Sequence, residues 1–575
     1  MKARLPHMSQ FAHRLIMALA LAACAEPPDT PAAAPAPTAT APTANEAADD
    51  AAPPAPAAPT APPGDELLPN PGLADGARGW ELHGAEAQPD LGPEDGPAVL
   101  LGPSSRLALT IPAPAGAPVR FALAAQGLSP DTLLRVAFTA LAPGEPVDDE
   151  AAAHDQSFRL EPGQWLRKVW RYDVPAGAER LRVRIETERD GRALVARASL
   201  MVEDYALEAL DAEGVTRLTL LIEPDVERLR GLLFKRPVPV QVVDDAQARE
   251  FFDGRVRKFW PQERQEADEA AYRQLGLWPT EQSMLDAMLD LMEEQAGGFY
   301  DPETETFYVL GDMPKGAAAI IIAHELTHAL DDQHYGLDER IAALLDDTDR
   351  FSGYGAVVEG SGTVIMSKYM ADLIGAGRLD LSGLAEMQQS EAMQGQALAA
   401  APPYLSRSLI FSYVMGMHLL LRGQGQLAIN AFDAADIDRC FRQPPQSSEQ
   451  VLHPEDYWEQ PDEPRPVPLP DLSATLGGGW TLRRSDTLGE LLLPILTGGG
   501  AIDATSLEIA VPSAWTGYAT IGWGGDLWQL YEAPTGAGAE GGAADGGKRH
   551  VTLLATLWDT PQDAEEFAGA LTAPA

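Results

Sequence analysis

The stretch AAAIIIAHELTHALDDQH, residues 317–334, decides how the second half of the chain folds. Its apolar run predicts a helix from about Ala317 to His334, entered through Pro314, Lys315 and Gly316 and stopped at Gly336. Residues four apart on a helix share a face. His324 and His328 therefore present two imidazoles about one turn apart. Zinc accepts imidazole nitrogen at roughly 2.0–2.1 Å in a tetrahedral set. Glu325, beside the first histidine, is placed to reach a water on the metal without ligating it. Two ligands and a general base thus fall within five residues.

A catalytic zinc needs a third protein ligand and an open position. Two candidates follow the helix. His334 lies six residues after His328, the spacing at which metzincins place their third histidine, but Asp331 stands where metzincins have a turning glycine. Glu359, in GAVVEGSGTVIM, lies on a predicted neighbouring helix, which is how thermolysin-like gluzincins complete their site. A lone carboxylate in an apolar stretch is costly to bury unless a metal takes it up, which favours Glu359. Asp331 and Asp332 read as residues that orient a ligand imidazole or as solvated charges. His453, in EQVLHPEDYW with Tyr457 behind it, is the candidate catalytic donor to an oxyanion, with an ordinary turn residue as the alternative. Thr306–Leu310 reads as a strand, either an edge that takes an extended substrate or an ordinary member of a sheet.

The segments GFYDPETETFYV, AHELTHALDDQH, VVEGSGTVIM, PPQSSEQVLHPEDYW and GWGGDLWQL follow one another in this order. Together they resemble a family of bacterial gluzincin-like zinc metallopeptidases, from roughly Tyr205 to the C-terminus. The resemblance implies an α+β zincin-like domain, with a small sheet over the HExxH helix and a mainly helical second lobe. It implies one Zn2+ per chain, held by His324, His328 and Glu359, and hydrolysis of peptide or protein substrates with Glu325 as base on zinc-bound water.

The rest of the chain reads as an address, a tether and a second folded unit. Residues 1–24 carry Lys2, Arg4 and Arg14, then a run from Leu15 to Ala23 too short to span a bilayer. The run ends in Leu21-Ala22-Ala23-Cys24, which resembles a bacterial lipobox and implies lipidation of Cys24. This predicts a protein of the cell envelope, lipid-anchored to the outer or cytoplasmic membrane and facing away from the cytoplasm. Residues 25–66 are almost all Ala, Pro and Thr and cannot bury a core, so they read as a disordered tether. Residues 67–204 show short β-runs between Pro/Gly turns, among them Val119–Ala125, Leu133–Thr139 and Arg180–Glu186, the last alternating as a half-buried strand should. They predict an all-β sandwich preceding the metallopeptidase domain of residues 205–575. LLPNPGLADGARGWELHG and GQWLRKVWRYDVP resemble jelly-roll, galactose-binding-like modules. Trp80, Trp165 and Trp170 are candidate glycan-stacking residues or core residues.

The formal net charge of −43 excludes nucleic acid as a main partner and leaves the lipid anchor as the only membrane contact. Cys24 and Cys440 are the two cysteines; with the first lipidated, no intrachain disulfide forms and Cys440 reads as a buried structural thiol. Downstream, helices are predicted over 261–295, 355–373 and 404–421, and strands in DLWQLYEA and HVTLLATLWDT, joined by a Gly/Ala-rich loop. Two rivals to the peptidase remain: a surface-binding lipoprotein that uses the zincin fold only as a scaffold, and a cell-wall peptide hydrolase anchored by the sandwich.

Overall fold

The structure, a computed structural model, describes residues 66–572 apart from 76, 149–153, 189, 206–209, 280, 296, 312, 314–316, 379–397, 399–400, 478, 503–505 and 535–547. The signal with Cys24, the tether up to residue 65, Pro314–Gly316 and most of the Gly/Ala-rich loop lie outside the described residues. The chain divides into two compact units between Asp204 and Tyr205.

The first unit is an all-β, jelly-roll-like structure of eight strands: β1 (Glu81–Gln88), β2 (Ala98–Pro112), β3 (Pro118–Gly127), β4 (Thr132–Leu141), β5 (His154–Leu160), β6 (Leu166–Asp173), β7 (Arg180–Thr187) and β8 (Ala193–Val202). Their order is β5-β4-β7-β2-β8-β3-β6, with β1 on β2. Strand β2 joins the two halves, because Val99–Leu101 pairs with β8 whereas Arg106–Pro112 pairs with β7. The halves close on each other through aromatic rings. Phe121 on β3 meets Phe138 on β4 at 5.9 Å, and Trp170 on β6 meets Phe158 on β5 at 5.2 Å. Trp80 and Trp170 lie in this core, so neither presents a ring for stacking. Trp165 instead covers a small cluster of Ala98, Leu194 and Ala196, residues that alternate with the core positions on β2 and β8.

Strand β7 departs from the half-buried strand its alternation predicts. It is flanked by β4 and β2, and its polar positions Arg182 and Arg184 are buried. Arg182 achieves this by a two-pronged pair with Glu81, at 2.8 and 2.9 Å, and a third bond to Thr110. A planar guanidinium satisfied in this way can lie flat on a sheet.

The second unit is mainly helical. Its helices are α1 (Ala212–Arg230), α2 (Asp245–Phe259), α3 (Gln262–Leu275), α4 (Met284–Gln295), α5 (Ala318–Tyr335), α6 (Leu337–Leu344), α7 (Thr348–Gly375), α8 (Pro403–Leu420), α9 (Ala434–Arg442), α10 (Gly489–Leu496) and α11 (Pro561–Thr572), besides shorter turns. The helical pattern over 261–295 is two helices. Gly276, at φ 79°, ends α3 in the left-handed region, where glycine pays no steric penalty. Helix α7 starts seven residues before the predicted Gly355, because the Asp347 side chain accepts the Arg350 N–H and caps it. Helix α5 stops at Gly336, φ 64°.

Two three-stranded sheets complete this unit. One holds β9 (Val240–Val243), β10 (Gly298–Asp301) and β11 (Thr306–Leu310) in the order β10-β11-β9. Strand β11 is thus central, antiparallel to β10 and parallel to β9, which overturns its reading as an exposed edge. The edge beside α5 is β10. The other sheet holds β12 (Thr481–Asp486), β13 (Trp523–Pro534) and β14 (Lys548–Trp558), all antiparallel. Cys440 on α9 is fully buried, and burial raises its thiol to about 12, so it is inert packing. Among the described residues, no helix is long and apolar enough to cross a membrane.

Candidate metal centre

Helices α5, α7 and α8 meet where their side chains are smallest. Gly362 of α7 lies against the His324 ring, and Gly360 lies against Gly416 of α8, so near that a Cβ on Gly360 would fall 2.6 Å from the Gly416 carbonyl carbon. Glycines in the GSG segment thus serve close approach of helices. Ser361 Oγ donates to Asp331 Oδ2 at 2.6 Å and ties α7 to α5.

This crossing brings together His324, His328 and Glu359. Nε2 of His328 is 2.9 Å from Nε2 of His324. Oε2 of Glu359 is 3.2 Å from His324 Nε2 and 3.4 Å from His328 Nε2. In a tetrahedral zinc site with bonds of about 2.0–2.1 Å, neighbouring ligand atoms stand roughly 3.3–3.4 Å apart. The three atoms therefore form one face of a site of zinc dimensions. Two imidazoles edge to face, with their ring nitrogens this close and a carboxylate between them, suit a cation better than one another. Burial alone disfavours charge on His328, yet Glu359 and Glu325 raise it to about 9; burial likewise opposes charge on Glu359, but the two histidines hold it well below the usual carboxylate range.

Glu325 points to one side of this face. It is buried, and desolvation raises its pKa. Its Oε2 accepts the main-chain N–H of Tyr300 at 2.9 Å. Tyr300 sits on β10, and its phenol donates to Asp332 at 2.9 Å. Within GFYDPETETFYVL, only Thr306–Leu310 reads as a strand from the sequence. The repeated aromatic pair in GFYDPETETFYV, around an Asp-Pro-Glu-Thr turn, is the hairpin signal that would have found β10.

Tyr413 of α8 was also missed. Its ring stacks on His324 at 5.8 Å and 20°, and its hydroxyl lies within the electrostatic reach of Glu359 and Glu325. Burial, then the charges of Glu359 and Glu325, hold its pKa well above the ordinary phenol. The one phenol in the apolar run LIFSYVMGMHLL is the available signal.

The remaining candidates lie elsewhere. His334 Nε2 is 2.8 Å from the Leu233 carbonyl, and burial lowers its pKa. Asp331 is fully buried against Arg230 Nε at 2.7 Å, and Asp332 accepts the Leu337 N–H at 2.9 Å. Both are structural carboxylates rather than solvated charges: Asp331 accepts from Arg230 and Ser361, and Asp332 from Tyr300 and Leu337. His453 pairs with the fully buried Glu490 at 3.0 Å. Burial opposes its charge, but the Glu490 hydrogen bond and charge raise its pKa overall. That pair engages Nε2, one of the two ring nitrogens. Tyr457 donates to the Gln443 carbonyl at 2.7 Å.

Residues 480–574, which span β12 to α11, match the family model described as Domain of unknown function (DUF8575). No curated protein matches the chain. Among solved structures, the chain is similar to the enzymatically active domain of Bacteriophage CBA120 tailspike protein 4, at 16% identity and a TM-score of 0.21, covering 24% of this chain and 21% of that one. It is similar to TmCBM61, solved with beta-1,4-galactotriose, at 17% identity and a TM-score of 0.20, covering 24% of this chain and 99% of that one. It is also similar to the CBM22-1 xylan-binding domain from Paenibacillus barcinonensis Xyn10C, at 13% identity and a TM-score of 0.21, covering 25% and 97%.

Proposed function

We propose that the chain is a zinc-dependent peptidase of the gluzincin type, with one ion held by His324, His328 and Glu359. The observation that carries this is the triangle of 2.9, 3.2 and 3.4 Å between the three ligand atoms, with Glu325 beside it. Zinc, when bound, supplies Lewis acidity toward a carbonyl oxygen and lowers the pKa of a water in its open position. Glu325 takes a proton from the attacking water at its carboxylate and passes it to the leaving amine. The Tyr300 N–H fixes the carboxylate's direction, and burial raises its proton affinity toward the range a base needs. The Tyr413 hydroxyl, carried by the ring that stacks on His324, is the donor available to negative charge developing on the substrate oxygen. The outer edge of β10 offers main-chain groups to an extended peptide beside Glu325. Hydrolysis of a mixed peptide library, with and without chelator, tests the proposal.

The scaffold reading keeps the same three ligands without chemistry, and is favoured if the purified protein carries no metal. Glycan binding by the β-unit is a second proposal. Only Trp165, of the three tryptophans considered, lies outside the main core cluster of that unit. Trp165→Ala in the full chain should abolish retention on polysaccharide if this ring stacks on sugar. Lipidation at Cys24 would hold both units at the envelope; Cys24→Ser should then move the protein from the membrane to the soluble fraction, and a mutant that survives a salt wash on the membrane contradicts it.

A further inference from the structure

A cavity of about 380 Å3 opens in the helical unit among α2, α3, α4, α6 and the first turns of α7 and α8. Its body is apolar, with Val256, Phe259, Met288, Ile341, Phe351 and Tyr404 on its walls. Its charged groups are already matched within the protein. Arg255 pairs with Asp338 at 2.6 Å, Arg264 with Asp268 at 3.3 Å, and the Trp260 indole N–H donates to Asp268 at 2.8 Å. An occupant therefore meets hydrocarbon walls and no unmatched charge among these groups, which suits an aliphatic or aromatic side chain.

The cavity is connected to the metal centre by the edge strand. Tyr300 of β10 gives its N–H to Glu325. The next residue, Asp301, lies 3.4 Å from Arg255 Nε, and Arg255 lines the cavity. Helix α7 also runs between the cavity and the metal centre. Phe351 and Glu359 are eight residues apart on α7, or about 12 Å at 1.5 Å per residue. An extended peptide rises about 3.3 Å per residue. A chain lying along β10 would thus reach the cavity three or four residues from the bond beside Glu325.

We propose that this cavity is a specificity subsite for a large apolar side chain of a peptide substrate, three or four residues from the scissile bond. The proposal rests on the peptidase reading for its register but not for its chemistry. The enzyme so selects extended peptides with a spaced apolar anchor. Met288, half-buried on the cavity wall and remote in sequence from every ligand, is the residue to change.

The test is equilibrium binding, read by anisotropy, of fluorescent octapeptides with alanine at every position except one leucine that is moved along the series. The full-length zinc-loaded Glu325→Gln protein, which leaves the peptide uncut, is compared with the same protein carrying Met288→Arg. A tenfold or greater gain in affinity from one leucine position, lost in Met288→Arg and kept in Met288→Leu, is expected. Equal binding of all peptides, or a leucine preference that Met288→Arg leaves intact, overturns the proposal. Displacement of nothing but a fatty acid probe by these variants also overturns it and assigns the cavity to acyl chains. Wild-type hydrolysis of the same peptides is followed separately. Leucine-dependent binding without hydrolysis leaves the subsite standing and removes the peptidase.

Discussion

Gly362 lies directly against the imidazole of His324. A Cβ at this position would stand 2.6 Å from Cε1, 2.8 Å from Nδ1 and 2.9 Å from Nε2. Real Cβ atoms do not approach so near, and the ring is itself buried between helices. Gly362→Ala is therefore expected to push His324 out of the ligand triangle. Alanine favours the helix, so far-UV circular dichroism should change little while zinc affinity falls at least 100-fold. Unchanged affinity in a competitive chelator titration would mean that His324 is not a ligand in this position.

The third ligand separates by mutation. Glu359→Ala leaves two imidazoles, and zinc affinity should collapse. His334→Ala removes a hydrogen bond to the Leu233 carbonyl, and affinity should fall by no more than the roughly 10–100-fold of an outer-shell change. The reverse order in a zinc titration would restore the metzincin-like arrangement.

Tyr413→Phe removes the hydroxyl and leaves the ring on His324. Zinc should stay at one ion per chain and KM should move little. kcat should fall by about 10²–10³, the usual cost of one donor to a developing oxyanion. His453→Gln, by contrast, should lower stability through the orphaned Glu490 and act on kcat only to that extent.

The helical unit holds several carboxyls whose affinity for a proton is raised by burial. Burial raises Asp349 to about 8, Glu449 to about 9, and Asp486 and Asp526 to about 6. Each has a folded pKa above its unfolded value near 4. Each therefore contributes stability that is full below pH 4 and is lost as pH rises through the folded value. Stability of this unit should fall from about pH 4, by up to about 1.4 kcal/mol per pH unit for each group until the pH passes its folded value, near 6 for Asp486 and Asp526, 8 for Asp349 and 9 for Glu449. Asp349→Asn should flatten the slope by about one proton between pH 5 and 8. Urea unfolding followed at 222 nm, which reads the helices, checks this; equal slopes in both proteins would contradict it.

The helix that carries His324 and His328 was legible because its signals are local. Apolar residues, the i to i+4 histidines and Gly336 fix its length, its face and its end within twenty residues. The β-strands at 118–127, 132–141 and 180–187 were legible for the same reason. Their neighbours were not, because strand order depends on which distant segments pair. So β11 was read as a candidate edge, and β7 as half-buried although Glu81, about a hundred residues away, covers Arg182. Tyr300 and Tyr413 escaped because their roles exist only where three elements cross. His453 is legible only by chemical type, and the buried glutamate thirty-seven residues on that pairs with its Nε2 is a long-range partner no local pattern announces.

The central claim is tested most directly by peptide hydrolysis under matched zinc loading. Wild type and Glu325→Gln are each brought to one zinc per chain, verified by metal analysis, and incubated with one mixed peptide library. Wild type is expected to cleave, to stop when the metal is chelated and to recover when zinc returns. Glu325→Gln is expected to hold the same zinc and to lose at least 1,000-fold in turnover, because an amide cannot accept the water's proton. Wild type that carries its zinc and cleaves nothing, or Glu325→Gln that cleaves at the wild-type rate, would contradict it.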